Sequence, residues 1–387
     1  MTTSRRSFLL MAASASCGSA LASAAKTATA KGSTDSALDL HKLILINTLG
    51  GLEDPNEPLT ANPGDARPTA SARVIADARR SGVTAINQTM GYVFGEGDPF
   101  TQTVSAITAW DALIQAHPQD LLKVLSVADI HRAKAGDKVG IIYGFQNAAM
   151  LGDRSVRVDF FAELGVRIFQ LTYNGANRLG GGSMAPEPSG LTAFGHEVVE
   201  RLNAQRLIVD LSHSGRQICL DAARASRQPV AITHTGCRAL TDLPRNKTDE
   251  ELKLVASRGG YVGIYFMPFL ALGRNATAED VIHHLEHALS VCGEDHVGIG
   301  TDGSFTPIDD MDRYLAELAK QHEQRKAAGI AAPGEKPGIM PFVPELTGPD
   351  QFRSLAQRLQ ARGHTARRIE KILGGNFLRF AKDVWGA

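Results

Sequence analysis

The stretch "RLIVDLSHSG", residues 206–215, is a β-branched apolar run that ends in a histidine. A second stretch, "PVAITHTGCRAL" at 229–240, repeats the design, again with a hydroxyl residue on each side of the histidine. Apolar runs without alternation are buried on both faces, as strands of a parallel sheet are. Working outward, the same kind of run recurs at 43–47, 83–87, 140–145, 166–172, 261–266 and 296–301. That makes eight, and a ninth at 121–127 reads as a peripheral strand or part of a helical hairpin. Helical patterns such as "TAWDALIQAH" (108–117) and "AEDVIHHLEHALSVCG" (278–293) lie between them. Eight such α/β units predict a (β/α)8 TIM barrel, with a doubly wound open sheet as the alternative.

A barrel puts chemistry at the C-terminal ends of its strands. Those positions hold Asn47, Asn87, Gln146, Tyr173, His213, His234, Met267 and Asp302, all polar except Met267. His213 and His234 follow adjacent predicted strands and are read as metal ligands, because neutral imidazole is the commonest zinc donor. Asp302, after the last strand, is placed to complete a ligand set or to shuttle a proton. Arg245, in "LPRNKTDEEL" (243–252), is placed either to hold a substrate carboxylate or to form a surface salt bridge with Asp249 or Glu250. His283, His284 and His287 fall on one helix and read as a solvent-facing set outside the barrel.

The bulk composition bounds the rest. The chain has 387 residues, 43% hydrophobic and 21% charged, which supports an ordinary core. Lys plus Arg equals Asp plus Glu at 41 each, which argues against nucleic acid or an anionic membrane as the main partner. Residues 1–25 carry Arg5-Arg6, an Ala-rich apolar stretch and an "ASA" cleavage site, and read as a twin-arginine signal. The expected location is therefore periplasmic or secreted. Residues 26–38 read as a linker and 39–387 as one barrel domain, with a loop excursion near 320–350. Beyond the signal, Cys219, Cys237 and Cys292 are too widely spaced for a zinc motif and read as buried free thiols, one disulfide being the alternative.

Taken together, "LGVRIFQLTYNGAN", "IVDLSHSG", "ITHTGCRAL", "LPRNKTDEELKLVASRGGYVGIYFMPFL", "HVGIGTDG" and "GGNFLRF" resemble the membrane (renal-type) dipeptidase family, peptidase family M19, of the amidohydrolase superfamily. The resemblance covers most of residues 40–385. It implies a barrel of the metal-dependent hydrolase type, a two-zinc centre and hydrolysis of dipeptides, with some members acting on β-lactams or N-acyl amino acids. Carried over, His213 and His234 match the histidines of the second zinc site. Arg245 matches the arginine that binds the substrate carboxylate, and Asp302 the aspartate that handles the proton. A homodimer is compatible with the resemblance, since barrels of this family commonly pair.

Three positions depart from the pattern. The first strand, "LILINTLGGLED" (43–54), ends in Asn47 where the family has a His-x-Asp pair. The bridging glutamate is replaced by Gln146, and the histidine of "LTHN" by Tyr173. Two divalent ions about 3.5–4 Å apart need a bridging anion, and a neutral amide is a poor zinc ligand. The expectation is a hydrolase of dipeptides or N-acyl amino acids with one zinc rather than two. Tyr173 would be an oxyanion donor, and Asn47 and Gln146 would line the substrate. A barrel that binds without cleaving, or that runs metal-free chemistry, is the alternative.

Overall fold

The computed structural model describes residues 39–57, 68, 70–187, 189–327, 329, 331, 333, 336 and 338–386. The signal and linker readings lie outside the described residues. The described residues form one compact unit.

Among the described residues, nine strands form one parallel sheet: β1 (Ile46–Asn47), β2 (Ala85–Thr89), β3 (Leu121–Lys123), β4 (Val139–Phe145), β5 (Val166–Gln170), β6 (Ile208–Asp210), β7 (Ala231–Thr235), β8 (Tyr261–Ile264) and β9 (Val297–Ile299). Their order is β1-β2-β4-β5-β6-β7-β8-β9, the order of a (β/α)8 barrel. All eight expected runs are present. The ninth is the peripheral strand β3, which pairs with Val139–Ile141 while β5 pairs with the second half of β4. The helices have ordinary sequence causes. Helix Asp249–Ser257, for example, starts at a Thr248/Glu251 capping box, and its first turn is acidic.

The barrel's seam joins β9 to β1. Thr48 N–H donates to the Ile299 carbonyl at 3.1 Å, Asp302 N–H to Leu49 at 2.9 Å, and Gly51 N–H to Gly303 at 3.1 Å. The Asn47 amide spans the same gap. Its Nδ2 donates to Thr301 Oγ1, and its Oδ1 accepts from Thr301 N–H, both at 2.8 Å. The Thr48 hydroxyl bonds the carbonyls of Thr233 (2.6 Å) and Ile299 (2.8 Å). Gly263 and Gly300 make room here, since a Cβ on either would fall 2.1 Å from the Thr233 carbonyl and 2.8 Å from the Thr48 hydroxyl.

The closing helix, Asn376–Trp385, packs Phe377, Phe380, Ala381 and Val384 against Ile46, Ile142, Ile168, Ile208 and Tyr261. Each buried aromatic of this kind contributes roughly 1.5–3 kcal/mol. The chain reaches this helix past Gly374, where a Cβ would lie 2.1 Å from the Ile44 carbonyl. The expected excursion at 320–350 starts differently, because Met311–Ala327 is a helix. Charge-rich sequence with few apolar residues hid it, and none of its residues is buried.

The histidine helix, Ala278–Cys292, corrects the reading of a solvent-facing set. His283 is exposed, but His284 is buried. Its Nδ1 accepts from Cys237 N–H at 2.8 Å, and its Nε2 faces the Leu270 carbonyl at 3.2 Å. His284 thus ties down the loops after β7 and β8. The three cysteines are free and buried.

Two stability predictions follow from these contacts. Asn47→Ala leaves the buried Thr301 N–H without its acceptor and lowers urea-unfolding stability by about 1–3 kcal/mol; an unchanged midpoint would show that the seam does not depend on Asn47. Burial lowers the His284 pKa from 6.5 to about 4. The unfolded chain therefore takes up this proton first, and stability falls as pH drops from 6.5 towards 4. His284→Gln flattens the stability profile over that window.

Candidate active site

The C-terminal end of β6 runs into Ser212, His213 and Ser214, and β7 ends on Thr233, His234 and Thr235; all six are buried. The two imidazoles lie with ring centroids 4.9 Å apart. Sequence spacing placed them on neighbouring strands, and the barrel brings them together.

Their tautomers follow from their partners. Asn174 Oδ1, an acceptor, lies 2.7 Å from His213 Nδ1, so that nitrogen carries the proton. Arg245 Nη2 donates to His213 Nε2 at 3.2 Å. For His234, Nδ1 lies 3.0 Å from the Thr233 hydroxyl. That hydroxyl donates to Asp210 Oδ2 at 2.7 Å and accepts from His234. His234 Nε2 is then a bare lone pair, buried and without a partner among the described residues. Burial pushes both imidazole pKa values well below the usual range, and the Arg245 and Lys247 cations add to the effect. Both rings are neutral.

Asp210 is the support that the sequence reading missed. It is buried and accepts from the hydroxyls of Ser212 (2.5 Å) and Thr233 (2.7 Å) and from the N–H groups of Ser212 (3.1 Å) and Thr233 (3.0 Å). Burial raises its pKa, and these hydrogen bonds oppose the rise. The signal was present in "DLSH" and "ITHT", where the residues beside each histidine form one network.

Arg245 is 2% exposed, so the surface salt-bridge reading does not hold. Its candidate partners are engaged elsewhere, Glu250 with Arg216 and Asp249 with His287 at 2.8 Å. Arg245 Nη1 donates to the Ser212 carbonyl at 2.9 Å. Its guanidinium lies 5.7 Å from the Tyr265 ring centre and 6.0 Å from that of Phe269. Among the described residues it has no carboxylate partner within 4 Å, whereas the neighbouring buried Lys247 pairs with Glu251 at 3.4 Å.

Tyr173 stacks on His213 at 4.3 Å and on Phe94 at 5.7 Å. Arg325, from helix Met311–Ala327, lies over the Phe94 ring, 5.2 Å from its centre. Phe94 and Arg325 sit in loop and helix segments that strand-end reasoning does not reach. Asp302 adopts a left-handed conformation (φ 58°), and its charge reaches Tyr265. Gln146 is half-buried and donates from Nε2 to Thr89 Oγ1 at 2.9 Å. Asn47 corrects the sequence reading: it is fully buried, and both ends of its amide are spent on the seam, so it does not face a substrate.

The expected metal finds an incomplete donor set. A catalytic zinc takes three protein ligands and keeps a position for water. The nitrogen lone pair of His213 is taken by Arg245, which leaves His234 Nε2 as the open imidazole donor. Among the described residues no group of three or more His, Cys, Asp or Glu side chains is arranged to hold a metal. The residues as arranged do not fit the ion.

The family model for membrane dipeptidase (peptidase family M19) matches residues 69–332. An uncharacterized Klebsiella pneumoniae protein from the pqqA 5' region is 28% identical over 75% of this chain and 98% of its own. The dipeptidase tcpJ of Claviceps purpurea is 28% identical over 71% of this chain, which spans 56% of that protein's length. An amidohydrolase from Pseudomonas aeruginosa is similar in structure, with 33% identity, a TM-score of 0.75, and coverage of 90% of this chain and 98% of its own.

The Asp210–Thr233–His234 arrangement makes its own prediction. Thr233→Val keeps the shape but removes the hydroxyl between carboxylate and imidazole. Nitrogen-15 NMR of the wild type should show His234 protonated at Nδ1, and the variant should lose that single tautomer. An Nε2-protonated His234 in the wild type would contradict the assignment.

Proposed function

The chain belongs to the membrane dipeptidase family, peptidase family M19, and from that footing we propose that it hydrolyses small amides that carry a free carboxylate, dipeptides or N-acyl amino acids. The observation behind this is Arg245, a buried guanidinium without a carboxylate partner among the described residues. A buried cation is costly unless an anion meets it, and a guanidinium meets a carboxylate with two parallel hydrogen bonds. The substrate's terminal carboxylate supplies that anion.

With the carboxylate on Arg245, the scissile amide lies toward the Tyr173–His213–His234 side. His234 Nε2, the open lone pair, holds the attacking water and takes its proton as oxygen bonds to the carbonyl carbon. Tyr173 donates to the oxyanion. The C–N bond breaks as the amine takes that proton from His234, directly or relayed through the Asp302 carboxylate, which yields a carboxylic acid and an amine. Asp210, through Thr233, positions His234. Gln146 borders the substrate next to Thr89.

Family membership and the names of relatives such as the dipeptidase tcpJ support the reaction class. We also assign the chain to the twin-arginine export route and a periplasmic or secreted site of action, on the strength of Arg5-Arg6. A second reading, binding without cleavage, is favoured by Gln146, an amide where the family has a carboxylate.

Arg245→Met should lower kcat/KM for a neutral dipeptide by about 100-fold or more, consistent with loss of a buried charge pair. A C-terminal amide analogue should react poorly with the wild type and no worse with the variant. Equal loss on both substrates would make Arg245 structural. Dipeptide binding without turnover by the wild type would establish the second reading.

A further inference from the structure

We infer that the Arg245 guanidinium holds the place of the metal cation at the His213–His234 pair, and that the pair takes up no zinc. This rests on the reading of the site as a carboxylate site and deepens it. Arg245 meets His213 at Nε2, the nitrogen that would face an ion, since Nδ1 is held by Asn174. It is fixed there by the Ser212 carbonyl and flanked by the Tyr265 and Phe269 rings. A dication beside it would face a fixed positive charge at close range, with Lys247 a second buried cation nearby. Two buried carboxylates that would offset such charges are directed elsewhere. Glu251 pairs with Lys247, and Asp210 is saturated by hydroxyl and backbone donors. In the family's pattern a His-x-Asp pair follows the first strand, where Asn47 stands here, and a bridging glutamate takes the place of Gln146. The amides of Asn47 and Gln146 are bonded to Thr301 and Thr89. A guanidinium performs part of a metal's task without its ligands: it is a permanent cation that orients a carboxylate.

The test is zinc stoichiometry on the full chain, purified without chelators and dialysed against micromolar zinc. The wild type is compared with the His213→Ala/His234→Ala double variant, so that uptake by surface groups such as His283 cancels. Equal zinc content supports the inference, and an extra equivalent in the wild type overturns it. A second measurement needs no variant. Calorimetric binding of N-acetyl-L-alanine by the wild type should be unchanged by EDTA or by added zinc. Binding that EDTA abolishes and zinc restores overturns the inference. If N-acetyl-L-alanine fails to bind under any metal condition, the carboxylate reading fails, and zinc stoichiometry still decides this inference.

Discussion

A guanidinium sealed inside a barrel mouth, without a carboxylate partner among the described residues, is the constraint around which this site is organised. Arg245 has a carbonyl, an imidazole and two aromatic faces for company. Such a cation is costly without an anion, and the lone pairs of the carbonyl and the imidazole offset only part of that cost. His213 and His234 are kept neutral first by burial and then by the Arg245 charge, and the His213 lone pair points toward Arg245. Asp210 acts one layer further out and reaches His234 only through the Thr233 hydroxyl.

The frame makes this arrangement rigid. The histidines sit at the ends of strands paired on both sides, and the seam between β9 and β1 is knotted by Asn47 and Thr48 with hydrogen bonds of 2.6–3.1 Å. The closing helix fills one end of the barrel with aromatic side chains. The polar groups collect at the other end. Stability and chemistry thus occupy opposite ends of the same strands, as the barrel architecture favours.

Much of this was legible in the sequence. Unalternated apolar runs gave the strands, because burial on both faces leaves no polar period to read. The paired Ser/Thr-His-Ser/Thr contexts located the imidazoles, because a strand end fixes where its next side chain points. What stayed hidden depends on side-chain direction across the barrel. Asn47 occupies a strand-end position like those of His213 and His234, yet it turns to Thr301 and closes the seam. Arg245 carried two equal readings until its burial and the engagement of Glu250 with Arg216 decided between them. His284 shares a helix with the exposed His283, but the loops after β7 and β8 fold over it, which no local period reveals.

The departures at Asn47, Gln146 and Tyr173 and the buried Arg245 belong to one physical account: a site whose fixed positive charge comes from the chain itself. A crystal structure of the protein with N-acetyl-L-alanine bound, recorded with anomalous data at the zinc edge, addresses that account most directly. It predicts the ligand's carboxylate paired side by side with the Arg245 guanidinium, and no anomalous peak between His213 and His234. A zinc peak there, with the carboxylate on the metal and Arg245 turned away, would contradict it.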